Sequence, residues 1–169
     1  GNNAIIITEN ADLDMSTSGA VFGAVGTAGQ RCTSTWRLII HESVDDEVKN
    51  RLVKAYGQLK IGTTIDENNH VGPLIDQDAV NQYLNSIEKC KADGGKFVVE
   101  GGVLDGAQYE SGCYVKPCIA EVANSFEIVQ HETFAPILYI MKYKNLEEAI
   151  DMQNDVPQGL SSAIMTQNL

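Results

Sequence analysis

Apolar residues fill positions 4–7 without interruption and Thr8 closes the run, Ala4-Ile5-Ile6-Ile7-Thr8. A short run with no polar alternation predicts a strand buried on both faces. Asp12 or Asp14 then stands where a helix cap belongs, and the helix runs to about Gly26. Small residues lie on most of its faces: Ser16, Ser18, Gly19, Ala20, Gly23, Ala24 and Gly26. Glycine in a helix interior costs up to about 1 kcal/mol. Repeated glycine therefore implies that something packs very close, either another backbone or a site.

Residues 29–34, Gly-Gln-Arg-Cys-Thr-Ser, read as a polar turn before a strand over Arg37 to His41. Ser43 with Asp46 has the spacing of a capping box. Val44, Val48, Leu52, Ala55 and Tyr56 recur at helical spacing and predict an amphipathic helix over about 45–57. A loop rich in Asn, Asp and Gly follows to Pro73. Asp76 opens a second amphipathic helix with Val80, Tyr83, Leu84, Ile87 and Cys90 as its stripe, and Gly94-Gly95 ends it. Lys96 to Glu100 reads as a strand, 101–112 as a Gly-rich connection, and Tyr114 to Ala120 as a strand that Pro117 assigns to an edge or a bulge. Ile137 to Tyr143 is a buried strand. Asn145 caps a short helix from Leu146 to about Asn154, and Ser161 to Thr166 is a last strand. Strand and helix alternate, which predicts an α/β fold with a mostly parallel sheet flanked by helices.

The chain has 169 residues, of which 43% are hydrophobic, enough for a core and for one domain over 1–169. Lys and Arg number 12 against 23 Asp and Glu, a net charge of −11. That balance argues against nucleic acid and against anionic membranes as partners. No apolar run approaches the length of a membrane span. The start, Gly1-Asn2-Asn3-Ala4, lacks a basic leader. Four cysteines, at 32, 90, 113 and 118, are too few for a disulfide scaffold and point to a reducing, cytoplasmic setting. The chain opens directly on a strand and stops soon after one, so both ends read as cut.

Cys32 lies in a polar, Gly-flanked turn beside Arg31, where a cation and free backbone N–H groups favour a nucleophilic thiolate. An ordinary turn cysteine is the alternative. Cys90 falls on a helix stripe and reads as core. Cys113 and Cys118 lack metal-ligand spacing, so no metal site is expected. His41, His70 and His131 are the available bases for a Cys–His pair, but none stands at a spacing that compels one. Glu132 and Phe134 sit in a loop, 130–136, ahead of a buried strand; taken alone they read as a solvated carboxylate and a packed ring. Neither a dinucleotide glycine fingerprint nor a phosphate loop is present.

These residues carry a family resemblance. Gly29-Gln30-Arg31-Cys32-Thr33-Ser34 resembles the cysteine motif of the aldehyde dehydrogenases. Glu132-Thr133-Phe134-Ala135-Pro136 resembles their Glu-x-Phe-Gly-Pro signature, with Ala135 in place of Gly. Gly1-Asn2-Asn3-Ala4 resembles the tail of a Glu-Leu-Gly-Gly-Asn motif, and Gly159-Leu160-Ser161-Ser162 also fits. Arg31 and the run Thr133 to Tyr139 look most like family 7, the antiquitin or α-aminoadipic semialdehyde group. The resemblance implies a catalytic-domain fold, with Cys32 as the thiolate that attacks an aldehyde to form a thiohemiacetal and then a thioester. It implies that the Cys32 N–H is half of an oxyanion hole. It implies NAD or NADP as cofactor, with Glu132 on the ribose hydroxyls and Phe134 beside the nicotinamide. Arg31 would grip the carboxylate of an amino-acid semialdehyde.

By the same resemblance, the general-base Glu falls just upstream of Gly1. The side-chain half of the oxyanion hole, the nucleotide-binding domain and the oligomerisation hairpin also fall outside the 169 residues. The expectation is thus the cysteine-bearing domain of a longer, homo-oligomeric parent acting on a small aldehyde, and inactive in oxidation by itself. Residual thiol-esterase chemistry, a non-catalytic association module and the lack of any independent role are the other readings.

Overall fold

The first strand, β1, forms at Asn3–Ile7, and every residue in it is buried. Asp12 caps α1, Leu13–Val25, by accepting from the Met15 N–H. A tight turn at 26–29 leads to β2, Thr35–His41, and then to α2, Asp45–Gly57. The computed structural model describes residues 1–168. Asp76 caps α3, Gln77–Ala92, and Gly94 (φ +98) ends it, with the Gly95 N–H donating to the Cys90 carbonyl. The strands β3, Lys96–Val99, β4, Gly102–Val103, β5, Val115–Lys116, and β6, Cys118–Glu121, follow. After β7, Ile137–Tyr143, Asn145 caps α4, Leu146–Asn154, and β8 is Ser162–Met165.

Six strands form one sheet in the order β3-β6-β7-β2-β1-β8, and β4 and β5 form a separate pair. Every pairing in the large sheet is parallel except β3 with β6. The α/β expectation therefore holds. The crossovers β1-α1-β2 and β7-α4-β8 run in opposite directions across the sheet. Right-handed connection then puts α1 and α4 on opposite faces. The core gathers Ile6, Ile7, Leu38, Ile39, Leu138 and Ile140, each at most 2% exposed.

Three local expectations change. Ser43 does not cap α2; its hydroxyl pairs with His41 Nδ1 at 2.8 Å, and Val44 takes the cap position without a side-chain bond. The stretch from Tyr114 to Ala120 is not one strand. Pro117 divides it into β5 and β6, which belong to different sheets, and β6 lies inside the large sheet rather than at its edge. A proline has no N–H for a ladder, so the chain changes partners there. The Gly-rich connection contains β4, paired with β5. The small residues of α1 do serve close approach: a β-carbon at Gly23 would overlap the side chain of Thr35 in β2.

Candidate active site

The segments ahead of β1, β2, β7 and β8 gather at the amino ends of four adjacent parallel strands. Cys32 is among them, exposed, with Thr33 exposed and Ser34 buried beside it. The turn leading to Cys32 is unusual. Thr27 (φ 53), Ala28 (φ 54) and Gly29 (φ 70) all take left-handed backbone. Two of these carry a β-carbon, at about 1–2 kcal/mol each, so the surrounding structure has to hold them there. Gln30 does part of this. Its Nε2 donates to Thr27 O and Pro73 O, both at 3.1 Å, and its Oε1 accepts from the Ile75 N–H at 2.9 Å.

Beyond the turn, the Arg31 N–H donates to Ser34 Oγ at 3.1 Å and the Ser34 N–H to Arg31 O at 3.0 Å. A trans peptide sends Arg31 O and the Cys32 N–H in opposite directions. The Ser34 bond therefore leaves the Cys32 N–H facing away from the loop. That N–H has no hydrogen-bond partner among the described residues.

The Arg31 guanidinium lies over the Phe22 ring, 5.0 Å from its centroid, and Nη2 donates to Phe22 O at 3.4 Å. Gly26 makes room for it, since a β-carbon there would overlap Nη2. Arg31 Nε is buried without a partner among the described residues. Phe22 itself is 68% exposed, on the outer face of α1.

Glu132 is partly exposed, and its Oε2 lies 3.0 Å from the Gly1 nitrogen. Phe134 is 40% exposed, takes φ 57, and tilts its ring against Trp36 at 5.8 Å. Ala135 is fully buried with ordinary backbone, so a β-carbon is no obstacle there; the left-handed residue of this loop is Phe134. Cys90 and Cys118 are buried, and burial raises their thiols to about 11 and about 12. Among the described residues no His, Cys, Asp and Glu cluster could hold a metal ion. The three histidines stand elsewhere or in other bonds: His41 pairs with Ser43, His70 Nδ1 accepts from the Lys60 N–H, and His131 is exposed.

Three further residues support the site and carry little local signal of it. Asn3 bonds the Cys32 carbonyl at 2.8 Å. Gln30, one position of the cysteine motif, braces the turn through Thr27, Pro73 and Ile75. Arg37 opens a strand in the sequence pattern, yet it is fully buried. Its guanidinium donates to Asn2 O at 2.8 Å, Asn124 Oδ1 at 3.1 Å, and the α4 carbonyls of Met152 and Gln153 at 2.6 and 3.1 Å. Burial depresses it to about 10, against the pull of Asp155. A cation on the last carbonyls of a helix is favourable. The one available signal was a charge inside an otherwise apolar strand.

A model of the aldehyde dehydrogenase family matches residues 1–169. The chain is 48% identical over 170 residues to an alpha-aminoadipic semialdehyde dehydrogenase of Bos taurus, covering all of this chain and 31% of that protein. It is 48% identical over 167 residues to aldehyde dehydrogenase family 7 member A1 of Pisum sativum, covering 99% and 32%. It thus spans about a third of the length of these curated relatives. Among solved structures, a betaine aldehyde dehydrogenase of Staphylococcus aureus in complex with NAD+ superposes with a TM-score of 0.96 at 27% identity, over 99% of this chain and 34% of that one.

Proposed function

The chain belongs to the aldehyde dehydrogenase family, and on that premise we propose that it forms the thiol-bearing half of an active site oxidising an amino-acid semialdehyde to a carboxylic acid. The observation that carries this reading is Cys32 itself. It pairs an exposed thiol with an unengaged backbone N–H in a loop held on several sides. The thiolate adds to the aldehyde carbon to form a thiohemiacetal, and the Cys32 N–H donates to the oxygen on which charge develops. Oxidation at that carbon leaves a thioester, which water cleaves to the acid.

The partly exposed Glu132 carboxylate and the exposed Phe134 ring fit NAD or NADP, with the carboxylate on the ribose hydroxyls and the ring beside the nicotinamide. Bound nicotinamide supplies the hydride acceptor. Arg31, half-buried with its guanidinium over Phe22, supports recognition of a substrate carboxylate; a guanidinium grips one with two parallel bonds. The name of the bovine relative supports a semialdehyde as substrate. Four free thiols suit a cytoplasmic setting. The remaining catalytic groups and most of the cofactor contacts are assigned to segments outside these 169 residues, in a homo-oligomeric parent.

Two measurements test this. An activated ester acylates Cys32 in wild type and leaves the Cys32→Ala variant unlabelled at that site. The 169-residue chain with aldehyde and NAD+ yields no NADH. Equal labelling of both proteins removes the nucleophile, and robust NADH from this chain overturns the division of labour. Met15 and Phe22, each 68% exposed on α1, favour an association surface as a second reading. Light scattering across a dilution series tests it, and a dilution-stable monomer removes it.

A further inference from the structure

Asn3 is 2% exposed, yet its side chain is polar and sits at the start of a fully buried strand. Burying a carboxamide is tolerable only if its donors and acceptor are engaged. They are, and the partners lie on separate segments. Nδ2 donates to Cys32 O and to Ser34 O, each at 2.8 Å. Oδ1 accepts from the Leu160 N–H at 3.0 Å and the Ser161 N–H at 2.9 Å. One side chain thus joins β1, the cysteine loop and the segment ahead of β8.

The bond to Cys32 O orients the peptide plane after the thiol residue. The plane before it is already oriented, because Arg31 O accepts from Ser34. With both planes set, Cys32 has little backbone freedom left, and the direction of its N–H relative to its Cα–Cβ bond, from which the thiol extends, is determined. Resting on the reading of Cys32 as nucleophile, we propose that Asn3 is its positioning residue, holding thiol and N–H in the mutual geometry that acyl addition needs. Asn3 touches no substrate and acts through the Cys32 carbonyl.

Two reagents separate this role from mere support. In acylation by p-nitrophenyl acetate, sulfur bonds to the ester carbon, charge develops on the carbonyl oxygen, and p-nitrophenolate leaves. In alkylation by iodoacetamide, sulfur bonds to carbon, iodide leaves, and no oxyanion forms. Both use the thiolate, so their ratio at Cys32 is independent of its ionisation. In Asn3→Asp the shape is kept but the ionised side chain has no donor for Cys32 O. The ratio of acylation to alkylation is expected to fall at least about tenfold, since small misplacements near the reacting atoms cost factors up to about a hundred. Lowering the pH protonates the new carboxyl and returns one donor, so the ratio should recover towards wild type. Asn3→Ala should show the same fall without the recovery.

An unchanged ratio in a folded variant overturns the proposal. So does a rise in both rates together, which would mean a loosened loop, or loss of the native circular dichroism in both variants, which would make Asn3 purely structural. A wild type acylated no faster at Cys32 than at its other thiols overturns the nucleophile reading and this proposal with it. Normal wild-type acylation with an unaffected variant overturns the role of Asn3 alone.

Discussion

Gly29 packs its α-carbon directly against the carbonyl of Ala135. A β-carbon at Gly29 would overlap that carbonyl and lie 2.9 Å from the Pro136 nitrogen. The same Ala135 oxygen accepts from Trp36 Nε1 at 3.2 Å and from the Ile137 N–H at 2.8 Å. The two loops carrying Cys32 and Glu132 are therefore held against each other by backbone, with no side chain between them. Gly29 also takes φ +70. Gly29→Ala should lose at least about 2 kcal/mol, from left-handed strain together with overpacking. Urea unfolding measures it, and a loss under about 0.5 kcal/mol, the range of neutral surface changes, would show that the loops are not clasped here.

Arg37 ties Asn2, Asn124 and the end of α4 together. Removing it strands several buried acceptors at once. Arg37→Met should destabilise by about 3 kcal/mol or more. Arg37→Lys should recover only part, because an ammonium cannot match the planar fork. If the lysine variant unfolds at the wild-type urea midpoint, the fork geometry is irrelevant.

Native thiol chemistry should follow exposure. Iodoacetamide is expected to label Cys32 first, Cys113 more slowly, and Cys90 and Cys118 only after denaturation. Peptide mass spectrometry over a time course reads this order. Early label on Cys118 would contradict the packing of β6.

Stability should fall in alkali. Burial raises Cys90 to about 11, and Cys118 and Tyr143 to about 12, and drives Tyr56, Tyr83 and Tyr139 upward as well. The unfolded chain releases these protons first, from about pH 8.5 for the thiols, while the native state keeps them. The stabilisation is therefore complete below that pH and is lost as pH rises through the native values, by about 1.4 kcal/mol per pH unit for each group. Arg37, depressed to about 10, acts in the opposite sense from there upward. Urea midpoints from pH 8 to 11 should decline, and less steeply in Cys118→Ala. Equal slopes in the two proteins would remove Cys118 from the account.

In the full-length protein, Arg31→Ala should raise KM for a carboxylate-bearing semialdehyde at least about tenfold, the worth of one charge-assisted bond, and leave a simple alkanal little changed. Steady-state kinetics with both substrates decides it. Equal losses would assign Arg31 to loop support through Phe22.

Local chemistry was legible along the chain. The pattern offers Asp12 or Asp14 as one cap, Asp76 as a helix start and Asn145 as another cap; Asp12, Asp76 and Asn145 each accept from an N–H in the first turn of their helix. Caps, glycine stops and apolar periods act over a few residues, so their energies are written into neighbouring positions. Ser43 failed because His41, two residues back, competed for its hydroxyl. Pro117 marks a break in the strand pattern, but its consequence depends on which sheet each half joins.

By itself the sequence determined the alternation of strand and helix, the buried strands, the family, and Cys32, Glu132 and Phe134 as the residues to watch. Tertiary structure alone decided the sheet order, the seat of Arg31 on Phe22, the contact of Gly29 with Ala135, the burial of Arg37, and the bond of Asn3 to the Cys32 carbonyl. The reason is distance along the chain. Asn3 meets Cys32 across 29 residues and Leu160 across 157, and Arg37 meets Gln153 across 116. No local pattern encodes such pairs, because each partner looks ordinary until the parallel strands bring their amino ends together.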